Sequence, residues 1–212
     1  MYLPAHFEES RPEVLAELVR RHPLGLLVTQ SADDTLAADA IPWLLDIAAD
    51  GTRTLRGHVA RANPVWRQAR GDIDALVVFQ GPQAYVSPSL YASKTEHGKV
   101  VPTWNYIMVQ ARGRFEAMDD AAWTLVLVTR LTERHESPRA APWAVSDAPA
   151  EFVDRMLGMI VGVQLRVASM TGKWKTSQNR SAADRAGVRE GLRADLLADA
   201  TNADAALPVP EA

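Results

Sequence analysis

The chain has 212 residues, 47% of them hydrophobic, which suits one globular domain with a substantial core. It contains no cysteine, so disulfides, thiolate metal sites and cysteine nucleophiles are excluded. A net charge of −3 argues against general coating of nucleic acid, and no apolar run reaches the roughly 20 residues that span a bilayer. The N-terminal residues are neither basic nor apolar enough for a signal peptide, so we expect a cytoplasmic protein with no membrane contact.

The first half of the chain predicts one helix followed by several short strands. SRPE at residues 10–13 has capping-box spacing, and apolar residues then recur at helical intervals up to His22. Pro42 is expected at a strand edge or bulge, and Asp50-Gly51 at a hairpin turn. Strands are predicted at residues 24–29, 40–47, 54–59, 74–79 and 83–88, and a short helix begins at Asn63-Pro64.

The second half has the clearest alternation of the chain. Between residues 103 and 118 every second side chain is small or apolar, which predicts a long strand with one face toward the core. Helices are expected to start near residues 119 and 149, a strand at 160–171 and a helix at 184–197. The expected fold is α+β, a mostly antiparallel closed β-barrel with peripheral helices. Residues 1–195 are expected to form one domain with a C-terminal basic helical segment, and residues 196–212 a disordered tail.

The segment from Leu55 to Trp66 (LRGHVARANPVW) is the most informative chemically. A strand ends near His58, a loop of small residues follows, and Asn63-Pro64 opens a helix as N-cap and first residue. Free N–H groups at such a point favour an anion, and Arg61 lies beside it. The pattern fits a phosphate cradle for a nucleotide-like cofactor, or an ordinary capped helix with a surface arginine.

Two other clusters combine aromatic and polar residues. Residues 102–106 (PTWNY) offer a flat apolar wall and an amide, or aromatic residues at the edge of the core. Residues 172–180 (GKWKTSQNR) follow the last strand with three cations, which suits an anionic cofactor or a solvated turn. Between Lys173 and Arg193 there are six Lys or Arg and two acids, an excess that could meet DNA. A single helix interrupted by glycine is not a helix-turn-helix, however.

Classical catalytic motifs are absent from the sequence. The five histidines lack metal-binding spacing, and there is no GxSxG nucleophile elbow. We therefore predict no metal site, and the sequence leaves open whether the protein is an enzyme.

Several ordered motifs together resemble one family. MYLPAHFEE, GHVARANPVW, QGPQAYVSPSLYASK, VPTWNY and KWKTSQNR, followed by a GV-x-x-GL helix, are similar to the PaiB family, described as FMN-binding negative transcriptional regulators. The likeness runs from residue 1 to about residue 192. It implies the FMN-binding split-barrel fold, a small antiparallel barrel that dimerises and binds FMN between its subunits. Pyridoxamine-phosphate oxidases and many flavin reductases share this fold.

The resemblance also implies which residues hold the cofactor. The phosphate is expected where a strand ends and a short helix starts, at His58, Val59, Ala60, Arg61, Ala62 and Asn63. The ring system is expected to be flanked by Trp104, Asn105 and Tyr106. The second subunit is expected to close the site with Trp174, Lys175, Ser177 and Gln178.

Three functions remain open at this stage, because a fold alone does not define a function. The first is a homodimeric FMN-binding regulator that represses transcription directly on DNA or through a regulatory protein partner. The second is a flavin reductase or oxidase. The third is a haem-binding split barrel in which His58 or His97 ligates iron. We predict flavin binding first and regulation second, because bound FMN would carry the chemistry of either flavoprotein.

Overall fold

The structure, a computed structural model, describes residues 1–201, with side chains as far as residue 195. The six helices of this part are α1 (Pro12–Arg21), α2 (Val65–Gln68), α3 (Ser93–His97), α4 (Ala121–Glu136), α5 (Ala150–Gly158) and α6 (Ala182–Thr201). Its eight strands are β1 (Glu8–Glu9), β2 (Leu24–Gln30), β3 (Leu36–Pro42), β4 (Leu44–Ile47), β5 (Arg53–Ala60), β6 (Ala75–Val86), β7 (Thr103–Met118) and β8 (Ile160–Lys175). The class is therefore α+β, as predicted.

The predicted closed barrel is not closed by hydrogen bonds. The sheet runs in the order β3-β2-β6-β7-β8-β5-β4, with β1 paired to β8, so β3 and β4 lie at opposite ends. Only Trp43 separates β3 from β4, and a single residue is too short for the turn that would pair them as a hairpin. Pro42 ends β3 without an N–H, and the N–H of Trp43 donates to Pro23 O at 2.9 Å. The expected single strand over residues 40–47 is thus two strands.

Two strand predictions differ in extent from the structure. The expected strands at 74–79 and 83–88 form one continuous strand, β6, which passes through Pro82. The last strand, β8, ends at Lys175 and not at Thr171. By contrast, β7 has the predicted bounds, and Val109, Ala111, Gly113 and Phe115 on its expected core face are buried.

The chain divides into two compact units. Unit 1 contains Met1–Glu8, Pro82–Ile107 and the chain from Lys173 onward, and unit 2 contains Glu9–Gly81 and Met108–Gly172. The core of unit 2 contains fully buried Leu27, Ile41, Trp43, Leu55, Val77 and Phe79. The core of unit 1 is smaller, with Val86, Tyr91 and Val188 buried and Leu90, Val100 and Leu192 packed against them.

The C-terminal helix reaches into the segment that was expected to be a tail. The backbone of α6 is helical to Thr201, and the rest of the predicted tail, residues 202–212, lies outside the described residues. That residues 1–195 act as one flavin-binding domain stays a prediction. Within the described part, no helix is long and apolar enough to cross a membrane.

Candidate functional site

The predicted phosphate cradle is an exposed loop between β5 and α2 in unit 2. β5 pairs with β8 as far as Ala60, after which the Asn63 N–H donates back to Ala60 O at 2.9 Å. The Asn63 side chain accepts the Val65 N–H at 2.9 Å, as an N-cap does. However, α2 is only four residues long, so its dipole adds little and anion binding must depend on side chains and loop N–H groups.

Arg61 is already engaged by other groups of unit 2. Its guanidinium donates to both carboxylate oxygens of Asp119, at 3.1 and 2.7 Å, and to the carbonyl oxygens of Gly158 and Ile160. The ion pair raises the pKa of Arg61 and lowers that of Asp119, mainly through the side-chain hydrogen bond between them. Arg61 therefore fixes the loop against the start of β8.

Asn63 does not share a cleft with Arg61. It lines a larger one, of about 930 Å³, which we call the loop cleft. The Asn63 amide donates to the Asp39 carboxylate at 2.6 Å, and the Arg67 guanidinium lies 4.0 Å from the Trp66 ring centroid. The polar side chains lining the cleft are Thr29, Ser31, Asp33, Thr35, Asp39, Asn63, Arg67 and Gln68. Arg61 and Asn63, predicted to hold one phosphate together, thus line separate clefts.

His58 lies on β5, away from the loop cleft. Burial lowers the pKa of its imidazole, and its Nδ1 is buried without a hydrogen-bond partner. His58 lines a shallow cleft with His135, Glu136 and Trp143. The other candidate for iron ligation, His97, is exposed on α3 and its Nδ1 accepts the Lys99 N–H at 3.0 Å. No described residues form a cluster of three or more His, Asp or Glu that could hold a metal ion.

In unit 1 the structure joins the two other predicted clusters, which are about 70 residues apart in sequence. Lys175 Nζ donates to Thr103 Oγ1 at 2.6 Å and to Trp104 O at 2.5 Å, and Ser177 Oγ donates to Asn105 Oδ1 at 3.1 Å. The Gln178 amide donates to Trp174 O. The end of β8 and the segment after it are therefore bonded to the beginning of β7. The residues predicted to flank the ring system and those predicted to close the site form one cluster.

Local backbone geometry supports this junction. Ser177 has φ +65°, the left-handed region that non-glycine residues adopt at a cost of order 1 kcal/mol. Its side chain is buried on Asn105, which holds the turn that follows β8. Burial lowers the pKa of Lys175, and Lys173 lies between the rings of Tyr2 and Tyr106, at 5.5 and 5.4 Å from their centroids.

Beside this junction lies an open cleft of about 750 Å³, which we call the Trp104 cleft. Trp104 is 52% exposed and Tyr85 49% exposed, and their rings meet edge to face with centroids 5.9 Å apart. Helix α6 provides another wall, with Arg185, Val188, Arg189 and Leu192. Among the predicted residues, Trp104, Asn105 and Tyr106 line the cleft, whereas Trp174, Lys175, Ser177 and Gln178 do not. Lys175 and Ser177 contact the lining residues Trp104 and Asn105.

Sequence reasoning did not assign Tyr85, Arg185 or Arg189 to a ligand site. The two arginines are four residues apart, so a helix brings them to one face, and that spacing was the available signal. The two arginines were instead counted toward a general basic surface for DNA.

Comparisons with known proteins agree with these motifs. The family described as "Putative FMN-binding domain" matches residues 1–169. An uncharacterized protein of Aspergillus fumigatus is 34% identical over 91% of this chain and 90% of that protein. The Bacillus subtilis protein named protease synthase and sporulation protein PAI 2 is 31% identical over 91% of this chain and 89% of that protein.

Among solved structures, the FAD and heme binding protein from Mycobacterium smegmatis matches with a TM-score of 0.56 and 16% identity. The match covers 79% of this chain and 73% of that one, and at this identity it shows a common fold alone. The family match and the Bacillus relative together show more than the fold. The chain belongs to the PaiB family, whose model is described as a putative FMN-binding domain.

Proposed function

We propose that this protein binds FMN as a homodimer and acts in the cytoplasm as a negative regulator of transcription, with residues 1–195 as one functional flavin-binding domain. The observation that carries the flavin assignment is the Trp104 cleft. A half-exposed indole forms its wall, and neighbouring Asn105 is held by Ser177. Planar aromatic ligands stack on such walls, and a fixed amide can hydrogen-bond to ring nitrogens and oxygens.

The FMN phosphate is assigned to the loop between β5 and α2, with the Asn63 side-chain amide and the Ala62 N–H as donors, since the N–H groups of Arg61 and Asn63 donate to Met159 O and Ala60 O. Support comes from its exposure beside the loop cleft and from the GHVARANP motif. His58, Val59 and Ala60 shape the end of β5, and Arg61 orders the loop through Asp119. Arg67 is the cation that lines the loop cleft itself and is available to a phosphate there.

The homodimer is supported by an apolar surface on unit 2. Leu24 is 63% exposed and Leu26 42% exposed, on the same face of β2. Their neighbours across the sheet on this face are also small or apolar, since Leu26 pairs with Ala40 and Val78. A second subunit would cover this face, and its segment 174–178, together with the residues 103–105 bonded to it, would complete the flavin site.

The regulatory role rests on family membership and on a basic surface of α6. Arg185, Arg189 and Arg193 recur every four residues along this helix. They suit contact with phosphates of DNA or with an acidic regulatory partner. A flavin reductase or oxidase is the second candidate, and the open volume of the Trp104 cleft favours it, because it leaves room for a substrate beside the ring.

The experiment is a titration of the purified protein with FMN and with riboflavin, followed by flavin fluorescence and by sedimentation. We expect quenched fluorescence on FMN binding, weaker binding of riboflavin, which lacks the phosphate, and a particle of twice the chain mass. Protein that leaves FMN fluorescence unchanged would refute the flavin assignment. A monomer that binds FMN fully would refute the shared site.

Repression is tested separately by a gel shift with promoter DNA at low salt. We expect a complex that is lost when Arg185, Arg189 and Arg193 are all changed to Gln. No shift for the FMN-loaded or the FMN-free protein would exclude direct DNA binding and leave a partner protein as the route.

A further inference from the structure

Besides belonging to the basic surface of α6, Arg185 and Arg189 line the Trp104 cleft. Neither forms an ion pair with a carboxylate of the described residues, and Arg185 makes only long contacts, of 3.4 Å, to the carbonyl oxygens of Gln178 and Arg180. The described residues that line the cleft include one acidic side chain, Asp195. The cleft therefore carries an excess of positive charge.

Helix α6 is held firmly enough to be a permanent wall of this cleft. The Asp184 carboxylate accepts the Ser93 N–H at 2.9 Å and the Ser93 hydroxyl at 3.0 Å, and these hydrogen bonds lower the pKa of Asp184. Val188 is buried against Val86 and Tyr91 in the core of unit 1. The two arginines project from a fixed helix.

Close packing fixes the rotation of α6 as well. A Cβ on Gly187 would lie 2.3 Å from the carbonyl oxygen of Leu90, and one on Gly191 would lie 2.3 Å from Leu90 Cδ2. The glycine face must therefore point toward Leu90. Arg185 and Arg189, which are two residues from Gly187 and from Gly191, are thereby directed to the cleft.

An oxidised flavin ring does not need these charges. The isoalloxazine is neutral, and the proposed function assigns the FMN phosphate to the loop between β5 and α2. With Trp104 assigned to the flavin, the half-exposed Tyr85 ring, a mostly apolar wall and two guanidinium groups without a carboxylate partner are complementary to a second molecule, one that joins a planar ring to an anionic group. The volume of about 750 Å³ is within the range of small-molecule sites.

We propose that the Trp104 cleft binds a planar aromatic anion beside the flavin: the flavin keeps Trp104, and the anion places its ring against Tyr85 and its carboxylate or phosphate on Arg185 and Arg189. This inference rests on the proposed flavin function for the position of FMN. The ligand chemistry is common to aromatic carboxylates and to nucleotides. A ligand of either kind would act as a co-substrate or an effector of the flavin.

The test uses isothermal titration of the FMN-saturated full-length protein with two matched pairs of probes. 2-Naphthoate is compared with neutral 2-naphthylmethanol, and AMP with adenosine. We expect one anionic probe to bind about tenfold or more tightly than its neutral partner, because each guanidinium adds a charge-assisted hydrogen bond. The tighter anion identifies the source, an aromatic acid or a nucleotide.

Variants locate the binding. Arg185→Gln with Arg189→Gln should reduce the charge preference to about one, whereas Tyr85→Ala should weaken both members of a pair equally. Arg193→Gln is the matched control, an exposed arginine of the same helix that does not line the cleft. Thermal unfolding of each variant checks that α6 is still folded.

Two results would overturn the inference. One is that the FMN-loaded protein binds neither anion, with flavin binding intact. The other is that Arg189→Gln weakens FMN but not riboflavin, because the arginines would then hold the flavin phosphate. If the anions bind with the expected preference but FMN does not, the proposed function fails while the chemistry assigned to this cleft stands.

Discussion

The loop cleft and the Trp104 cleft are of similar volume, about 930 and 750 Å³, but they differ in charge and in the nature of their walls. The loop cleft is polar and contains two carboxylates, Asp33 and Asp39, beside one arginine. The Trp104 cleft is walled by aromatic rings and has two arginines beside one acid. The comparison teaches that a motif typical of phosphate binding does not by itself make an electropositive site.

The largest expected effect concerns the aromatic wall. Trp104→Ala should weaken FMN binding by about 1–3 kcal/mol, roughly 5- to 150-fold, because a stacking surface is lost. Flavin fluorescence titration measures it. Trp143→Ala is the control, because Trp143 is similarly exposed, at 48%, but lies outside the Trp104 cleft. Equal loss in both variants would contradict a ring site at Trp104.

The second prediction concerns the stability of the wall that α6 forms in the Trp104 cleft, and not the binding of a ligand there. Gly187→Ala should destabilise the protein by about 1–2 kcal/mol, because overpacking against Leu90 O exceeds the gain in helix propensity. Denaturant unfolding measures it. Gly158→Ala on α5 is the control, since its Cβ would meet no atom within 4 Å, and it should be neutral or stabilising. A stable Gly187→Ala protein would show that α6 can move.

The third prediction tests whether the loop between β5 and α2 holds a phosphate despite the two carboxylates of the loop cleft. Arg61→Ala should weaken FMN by about tenfold and riboflavin hardly at all, because the loop that carries the phosphate loses its tie to Asp119. Arg70→Ala is matched to it, since Arg70 also forms ion pairs, with Asp34 and Asp72, but does not hold the loop between β5 and α2. Equal losses for the two flavins would place the phosphate elsewhere.

A smaller effect of opposite sign should follow from Asp39→Asn. This change removes a negative charge from the loop cleft but keeps a polar group beside Asn63. FMN affinity should rise by about threefold, and the gain should shrink in high salt, because exposed charges are screened. Riboflavin is the control ligand. An unchanged FMN affinity would mean that no phosphate binds near Asp39.

The smallest effect is a pH dependence at His58. Burial lowers the folded-state pKa of this histidine, so below an unfolded pKa of about 6.5 the unfolded chain binds more protons and stability decreases. The thermal midpoint should fall between about pH 7 and pH 5, and less steeply in His58→Asn. His97→Asn, at an exposed histidine, should keep the wild-type slope. Identical slopes in all three proteins would contradict the assignment of this pH dependence to His58.

Sequence reasoning was most successful where one local pattern decides the structure. The alternation in β7 predicted its bounds and its buried face, because an antiparallel strand with one core-facing side imposes a period of two. It was wrong at Trp43, because one strand was predicted over residues 40–47; of the two positions expected for Pro42, an edge or a bulge, the structure has the edge, since β3 lies at one end of the sheet. The buried indole and the N–H bond to Pro23 end β3 there, and both depend on distant residues.

The candidate site was predictable as separate pieces, not as an arrangement. Trp104 and Lys175 were both singled out, but nothing in the sequence indicates that Lys175 Nζ bonds to Trp104 O across about 70 residues. Arg61 was correctly located in a loop after β5, whereas its partner Asp119 could not be found without the fold. Long-range pairing of charged side chains leaves no local signal.

The glycine contacts of α6 imply that ligand preference and folding are separable in this helix. Its orientation depends on residues 187 and 191, which touch Leu90, whereas residues 185 and 189 face the open space and carry none of that packing. Relatives could therefore exchange those two side chains and acquire a different small-molecule repertoire without a new scaffold. Diversification of this kind would be confined to two codons.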